Sequence, residues 1–170
     1  MAVGYETPYI HVSLARQQLY LLEPAPEGEV LLRQYPVSTA RNGAGEEMDS
    51  YRTPRGRHVI AQKIGAGLPS HAVFVAREPT GEIWTPELAA RYPGRDWILT
   101  RILWLGGDEP GRNKGGRVDT QARYIYIHGT ADEHLIGSPV SHGCIRMKNA
   151  DVLDLFERVQ VGTRVDISEV

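Results

Sequence analysis

Apolar residues in this chain come in short runs, and turn-forming residues cut each run before a long helix can form. Ile10 to Leu14, Gln18 to Leu22 and Val30 to Val37 are separated by Ala15-Arg16-Gln17 and by Pro24 to Gly28, a spacing that predicts an antiparallel meander. His58 to Ala61, Ala72 to Ala76, Trp97 to Leu105 and Thr163 to Ile167 read as further strands. The 18 glycines and 11 prolines favour turns over long helices. Helical signals are confined to two places. Thr85 followed by Pro86 predicts a short helix ending near Tyr92-Pro93. Asn149 is expected to cap a second, carrying Leu153, Leu155, Phe156 and Val159 and stopped by Gly162. A length of 170 residues suits one domain with its own core, spanning 1–170, mainly β with one or two short helices.

Charge and composition exclude several classes of function. A net charge of -2 gives no general attraction to nucleic acid or to a membrane surface. Lys63, Arg77 and Arg101 interrupt the best apolar stretches, so no span of about 20 apolar residues exists. Met1 to Pro8 lacks the basic start and apolar run of a signal peptide, and the single cysteine cannot form an internal disulfide. These readings lead to an expectation of a cytoplasmic location, or a periplasmic one if the sequence has been shortened at its start. Nothing in the residues fixes an oligomeric state.

The chemistry concentrates between Tyr124 and Met147, which holds the only cysteine, Cys144, and two of the six histidines, His128 and His142. Alternation places Tyr124, Tyr126 and His128 on one face of a strand that His128 closes, with Ile125 and Ile127 on the other. A lone cysteine and a histidine distant in sequence form the pattern of a thiol nucleophile and its base. Gly143 permits a tight turn just before the sulfur, so the amides of His142, Gly143 and Cys144 can line an oxyanion hollow. An extended segment after that turn puts Cys144 and Arg146 on one face and Ile145 and Met147 on the other. There Arg146 can favour the thiolate and hold a substrate carboxylate. The Gly129 carbonyl can fix the His128 tautomer, leaving the other ring nitrogen for the thiol. His142 shapes the pocket, and Ser141 bonds locally to backbone. Tyr126 and Arg123 are expected to join Arg146 in binding substrate.

Competing readings are weaker. His128, His134, His142 and Cys144 could supply four zinc ligands, but their spacing matches no usual zinc pattern, so no metal and no cofactor is expected. Gly106 to Gly116 has the glycine spacing of a phosphate loop, yet Arg112-Asn113 stands where Lys-Ser/Thr is needed. A papain-like order fails because the cysteine follows the histidine. Ser38 to Gly56 is a long polar loop and a candidate cleft wall.

With His128-Gly129 and Ser141-His142-Gly143-Cys144-Ile145-Arg146 in view, the chain resembles the L,D-transpeptidase catalytic domain family of the YkuD type. Val37-Ser38-Thr39 and Thr53-Pro54-Arg55-Gly56 extend the resemblance, which runs from about Ile10 to Ile167. It implies a β-sandwich of mixed sheets and a cysteine enzyme acting on peptidoglycan stem peptides. Cys144 would attack the diaminopimelate–D-Ala bond, His128 would be the base, and Gly129 would orient it. Because the sequence shows no export signal, the resemblance is closest in style to unexported L,D-carboxypeptidases, which release terminal D-Ala from muropeptide tetrapeptides. Arg101, Arg112, Lys114, Arg117 and Arg123 are expected to attract that acidic peptide. Cross-linking or D-amino-acid exchange by transpeptidation is the alternative, and a non-catalytic peptidoglycan-binding domain a further one.

Overall fold

A computed structural model describes residues 8–170. The stretch read as lacking a signal peptide lies almost wholly outside these residues. The strands are β1 (Tyr9–Ser13), β2 (Gln18–Ala25), β3 (Gly28–Ser38), β4 (Gly56–Ile64), β5 (Ala72–Val75), β6 (Glu78–Ile83), β7 (Ile98–Gly107), β8 (Tyr126–Thr130), β9 (Ile145–Met147) and β10 (Arg164–Ser168). Two short helices, α1 (Pro86–Arg91) and α2 (Asn149–Arg158), complete the regular structure with two single 3-10 turns. The fold is the mainly β, mixed-sheet architecture expected.

The strands join in the order β4-β10-β1-β2-β3-β9-β8-β7-β5-β6, and β4 also pairs with β7. The row from β4 to β7 therefore closes on itself around a core, with the β5–β6 hairpin attached outside the closure. Most pairs are antiparallel, but β1–β10 and β8–β9 are parallel. Ile10, Leu19, Leu103, Ile127, Ile145 and Val165 are fully buried in the main core. α2 adds Val152, Leu155 and Phe156 to that core. Its last carbonyls are satisfied by Lys63, whose Nζ donates to the Phe156 and Val159 oxygens at 2.6 and 2.8 Å. A smaller apolar cluster of Ala72, Phe74, Ile102 and Tyr126 packs with Cys144, Ile98 and Trp104.

Several local expectations are corrected. The turn after β2 is tighter than Pro24 to Gly28, since β2 runs through Ala25 and β3 starts at Gly28. β6, Glu-Pro-Thr-Gly-Glu-Ile, is an unpredicted strand; its Pro79 and Gly81 are tolerated because it lies at an edge of the sheet. Tyr124 is not in the strand. It has a positive φ of 57° and closes a turn in which its amide bonds the Gln121 oxygen at 3.1 Å, so β8 begins at Tyr126 and His128 sits mid-strand. Asn149 does not cap α2. Lys148 holds that position without a side-chain cap bond, and Val159 ends the helix before Gly162 is reached.

Candidate active site

β8 and β9 run side by side in parallel, pairing Ile127 with Ile145 and His128 with Arg146. Strand alternation sends Ile127, Ile145 and Met147 into the main core. It sends Tyr126, His128, Cys144 and Arg146 to the opposite face, as the sequence predicts for Cys144 and Arg146. The turn before Cys144 depends on Gly143, whose φ is +134°. A Cβ there would also sit 3.3 Å from the Arg52 carbonyl oxygen and from the Ile125 side chain.

The expected long loop holds this turn in place. Arg41 N–H bonds the Ser141 oxygen at 3.0 Å, and Ser141 N–H bonds the Thr39 oxygen at 2.9 Å. Buried Thr53, from the Thr-Pro-Arg-Gly segment, donates its hydroxyl to the Gly143 oxygen at 2.9 Å and accepts the Ala40 N–H at 3.0 Å. Ser141 bonds locally as expected: its hydroxyl donates to the Cys144 oxygen at 2.6 Å and accepts the Gly143 N–H at 3.2 Å. Of the three amides expected to line an oxyanion hollow, that of Gly143 is thus already engaged. Among the described residues, the His142 and Cys144 amides donate to no protein acceptor.

Cys144 is half-buried, and its sulfur is held by backbone. The Tyr126 N–H donates to Sγ at 3.3 Å, and the S–H reaches the Tyr124 oxygen at 3.4 Å. His128 is 2% exposed and lies 2.6 Å from the Gly129 oxygen through Nδ1. A carbonyl can only accept, so Nδ1 carries the hydrogen and Nε2 keeps its lone pair. Both residues line one small hollow of about 80 Å³ with Arg146, Asp96, His142 and Ser141. Among the described residues no hydrogen bond joins Sγ to the imidazole.

Burial sets the protonation of this pair. It pushes the Cys144 thiol from 9.0 up to about 11; the Tyr126 N–H and the charges of Arg146 and Arg123 oppose the shift, and Asp96 adds to it. Burial also lowers the His128 pKa, against the Gly129 carbonyl and the Asp96 charge. Arg146 acts in the direction expected, but desolvation outweighs it. Both shifts favour a neutral thiol beside a neutral imidazole, the direction opposite to the one Arg146 alone would set.

The hollow opens to a larger cleft of about 610 Å³, with Asp96, His142 and Arg146 common to both. Trp84, Tyr92 and Trp97 line this cleft, and Arg41 and Arg95 add positive charge. On another side lies a groove of about 220 Å³ bordered by Met48, Tyr51, Arg123 and Tyr124. His142 is exposed and borders all three spaces, its ring edge-on to Tyr51 at 6.3 Å. Arg146 lies between cleft and hollow, 11% exposed and 3.8 Å from Asp96.

Of the other expected substrate contacts, Arg123 borders both the hollow and the second groove while it donates to the Gly45, Ser50 and Arg52 oxygens and so braces the long loop. Tyr126 is buried, its phenol bound by Arg77 at 3.2 Å, and it meets the site through its backbone N–H. Arg101 is buried over Phe156 and Arg112 pairs with Glu109, so of the expected cationic set only Arg123 borders the site. Asp96 and the three cleft aromatics were missed; the aromatic residues between Trp84 and Trp97, on polar loop sequence, are the signal for them. No group of three or more His, Cys, Asp or Glu side chains is placed to hold a metal among the described residues.

Residues 7–167 match the family model YkuD, L,D-transpeptidase catalytic domain. The chain is 36% identical over 158 residues to an Escherichia coli protein named "Probable L,D-transpeptidase YbiS", covering 88% of this chain and 47% of that one. It is 34% identical over 160 residues to "Probable L,D-transpeptidase ErfK/SrfK" of Salmonella typhimurium, covering 89% and 47%. The chain thus spans about half the length of these curated relatives. Among solved structures, L,D-transpeptidase 3 from Mycobacterium tuberculosis superposes with a TM-score of 0.56 at 17% identity, over 96% of this chain and 61% of that one, a likeness of fold. No helix among the described residues is long and apolar enough to cross a membrane.

Proposed function

Since the chain belongs to the L,D-transpeptidase (YkuD) catalytic domain family, we propose that Cys144 and His128 carry out acyl transfer at the diaminopimelate–D-Ala bond of peptidoglycan tetrapeptides. The observation that carries this reading is a thiol and an Nε2-open imidazole lining one hollow between two grooves. As Sγ forms its bond to the carbonyl carbon, the S–H proton passes to Nε2 of His128. The developing oxyanion takes the free His142 and Cys144 amides. The C–N bond then breaks, and His128 returns its proton to the amine of departing D-Ala. A neutral pair suits this sequence, because the proton moves only as the sulfur attacks. Arg146, between hollow and cleft, is suited to a substrate carboxylate.

An amine entering from the second groove would attack the thioester, lose its proton to His128 and release Sγ, making a cross-link or exchanging the terminal residue. Two grooves that each share lining residues with the thiol's hollow favour this transpeptidation. Hydrolysis to the tripeptide, the carboxypeptidase outcome, is the second reading: water needs only the 80 Å³ hollow. Incubation with a disaccharide-free tetrapeptide, followed by mass measurement, separates them. We expect dimer or exchange products when an amine or D-amino acid is supplied, and D-Ala loss alone for hydrolysis. A folded protein that yields neither product would rule out both.

A further inference from the structure

We propose that Thr100 and Asn149 are positioning residues for His128: their side-chain pair clamps the Gly129 peptide whose carbonyl fixes the imidazole tautomer. The inference rests on the reading of His128 as base, and it begins with an irregularity in β7. Leu99 pairs with Gly129 and Ile102 with His128, so Thr100 and Arg101 are extra residues opposite the His128–Gly129 peptide. A bulge at such a place re-aims the strand beside it. Thr100 holds φ at +75°, a region a β-branched residue avoids, so other contacts must maintain it.

Those contacts converge on Asn149. The Thr100 hydroxyl donates to Asn149 Oδ1 at 2.5 Å and accepts the His71 N–H at 3.0 Å. Asn149 Nδ2 donates to the Thr130 oxygen at 2.8 Å, and its backbone N–H to Glu133 at 2.9 Å. Thr100 is fully buried and Asn149 is 2% exposed, so water does not compete for these bonds. Gly129 lies directly against the pair. A Cβ added to it would collide with Asn149 Oδ1, approach the Leu99 oxygen to 2.7 Å and the Thr100 Cβ to 3.1 Å. The Gly129 peptide is therefore gripped from β7 and from the start of α2 while its oxygen takes the His128 Nδ1 hydrogen. Helix capping, the role expected of Asn149, does not account for a buried amide that bonds two neighbouring strands.

The discriminating variant is Thr100→Gly. It removes the hydroxyl, while glycine accepts a φ of +75° without backbone strain. We expect kcat to fall about tenfold or more with KM near that of the parent, since a misaimed base slows chemistry and not binding. Nitrogen NMR of the His128 ring should change from one Nδ1–H tautomer to a mixture, and Thr100→Ser should restore both readouts. Asn149→Ala provides the same comparison if Thr100→Gly is poorly folded. A parental ring spectrum and kcat in folded Thr100→Gly or Asn149→Ala would overturn the assignment. The ring spectrum needs no turnover, so a tautomer shift in a protein inactive on tetrapeptides would sink the substrate reading and leave the clamp standing.

Discussion

On one face of the β8–β9 pair, Ile127, Ile145 and Met147 are fully buried among apolar side chains. On the other, His128, Cys144 and Arg146 line a hollow of about 80 Å³. The same ladder positions both sets, and both lie where water is largely excluded, His128 fully and Cys144 by half. What differs is what the dryness does. On the core face it stabilises the fold, roughly 1.5–3 kcal/mol for each fully buried aliphatic side chain. On the site face it removes charge, holding the thiol up near 11 and the imidazole below its ordinary value. On this face desolvation outweighs the neighbouring cations Arg146 and Arg123.

The sharpest way to break the symmetry of the two faces is to cut one side chain on each. Cys144→Ala should lower turnover by at least about 10⁴-fold, judged by product masses, because the Ser141 hydroxyl in the same hollow is tied to the residue 144 carbonyl and has no base beside it among the described residues. Its Tm should stay close to that of the parent, since a half-buried sulfur contributes little packing. Ile145→Ala, one residue along, should cost about 2–5 kcal/mol in denaturant unfolding, the usual range for emptying a core site. A stable Ile145→Ala would mean the core face is not packed as described. The smallest effect tests the protonation argument. Alkylation of Cys144 by iodoacetamide needs the thiolate, and a raised pKa leaves that form scarce until the pH approaches 11. The rate should therefore climb by about tenfold per pH unit through pH 9 and level only near 11. Levelling at or below pH 9 would show that Arg146 and Arg123 win over burial.

Much of this was legible because it follows from alternation and local turn chemistry. The two faces at Cys144–Met147, the glycine before the sulfur and the carbonyl after His128 are all short-range consequences of sequence. What was hidden depends on partners far along the chain. Arg123 looks like a free cation until the Gly45, Ser50 and Arg52 oxygens are brought against it. Asn149 has the composition of a cap, but folding places it against Thr100 and Thr130. Tyr124 continues an alternating pattern, yet the turn from Thr120 takes it out of the strand. The protonation state of the thiol was invisible for the same reason, since Arg146 is readable from sequence and desolvation is not.

The double pairing of β4 has one more consequence. From β4 round to β7 every strand has a neighbour on both sides along at least part of its length, so peeling any one of them away breaks two ladders. The β5–β6 hairpin is joined to the sheet by the β7 ladder alone, and the chain leaving β6 carries Trp84, Tyr92 and Trp97 along the cleft. Amide exchange should therefore be fastest, among the strands, in this flap, which can unzip from its outer margin while the ring stays shut. Pro79 and the flanking Glu78 and Glu82 keep that bare margin from recruiting a foreign strand when it does.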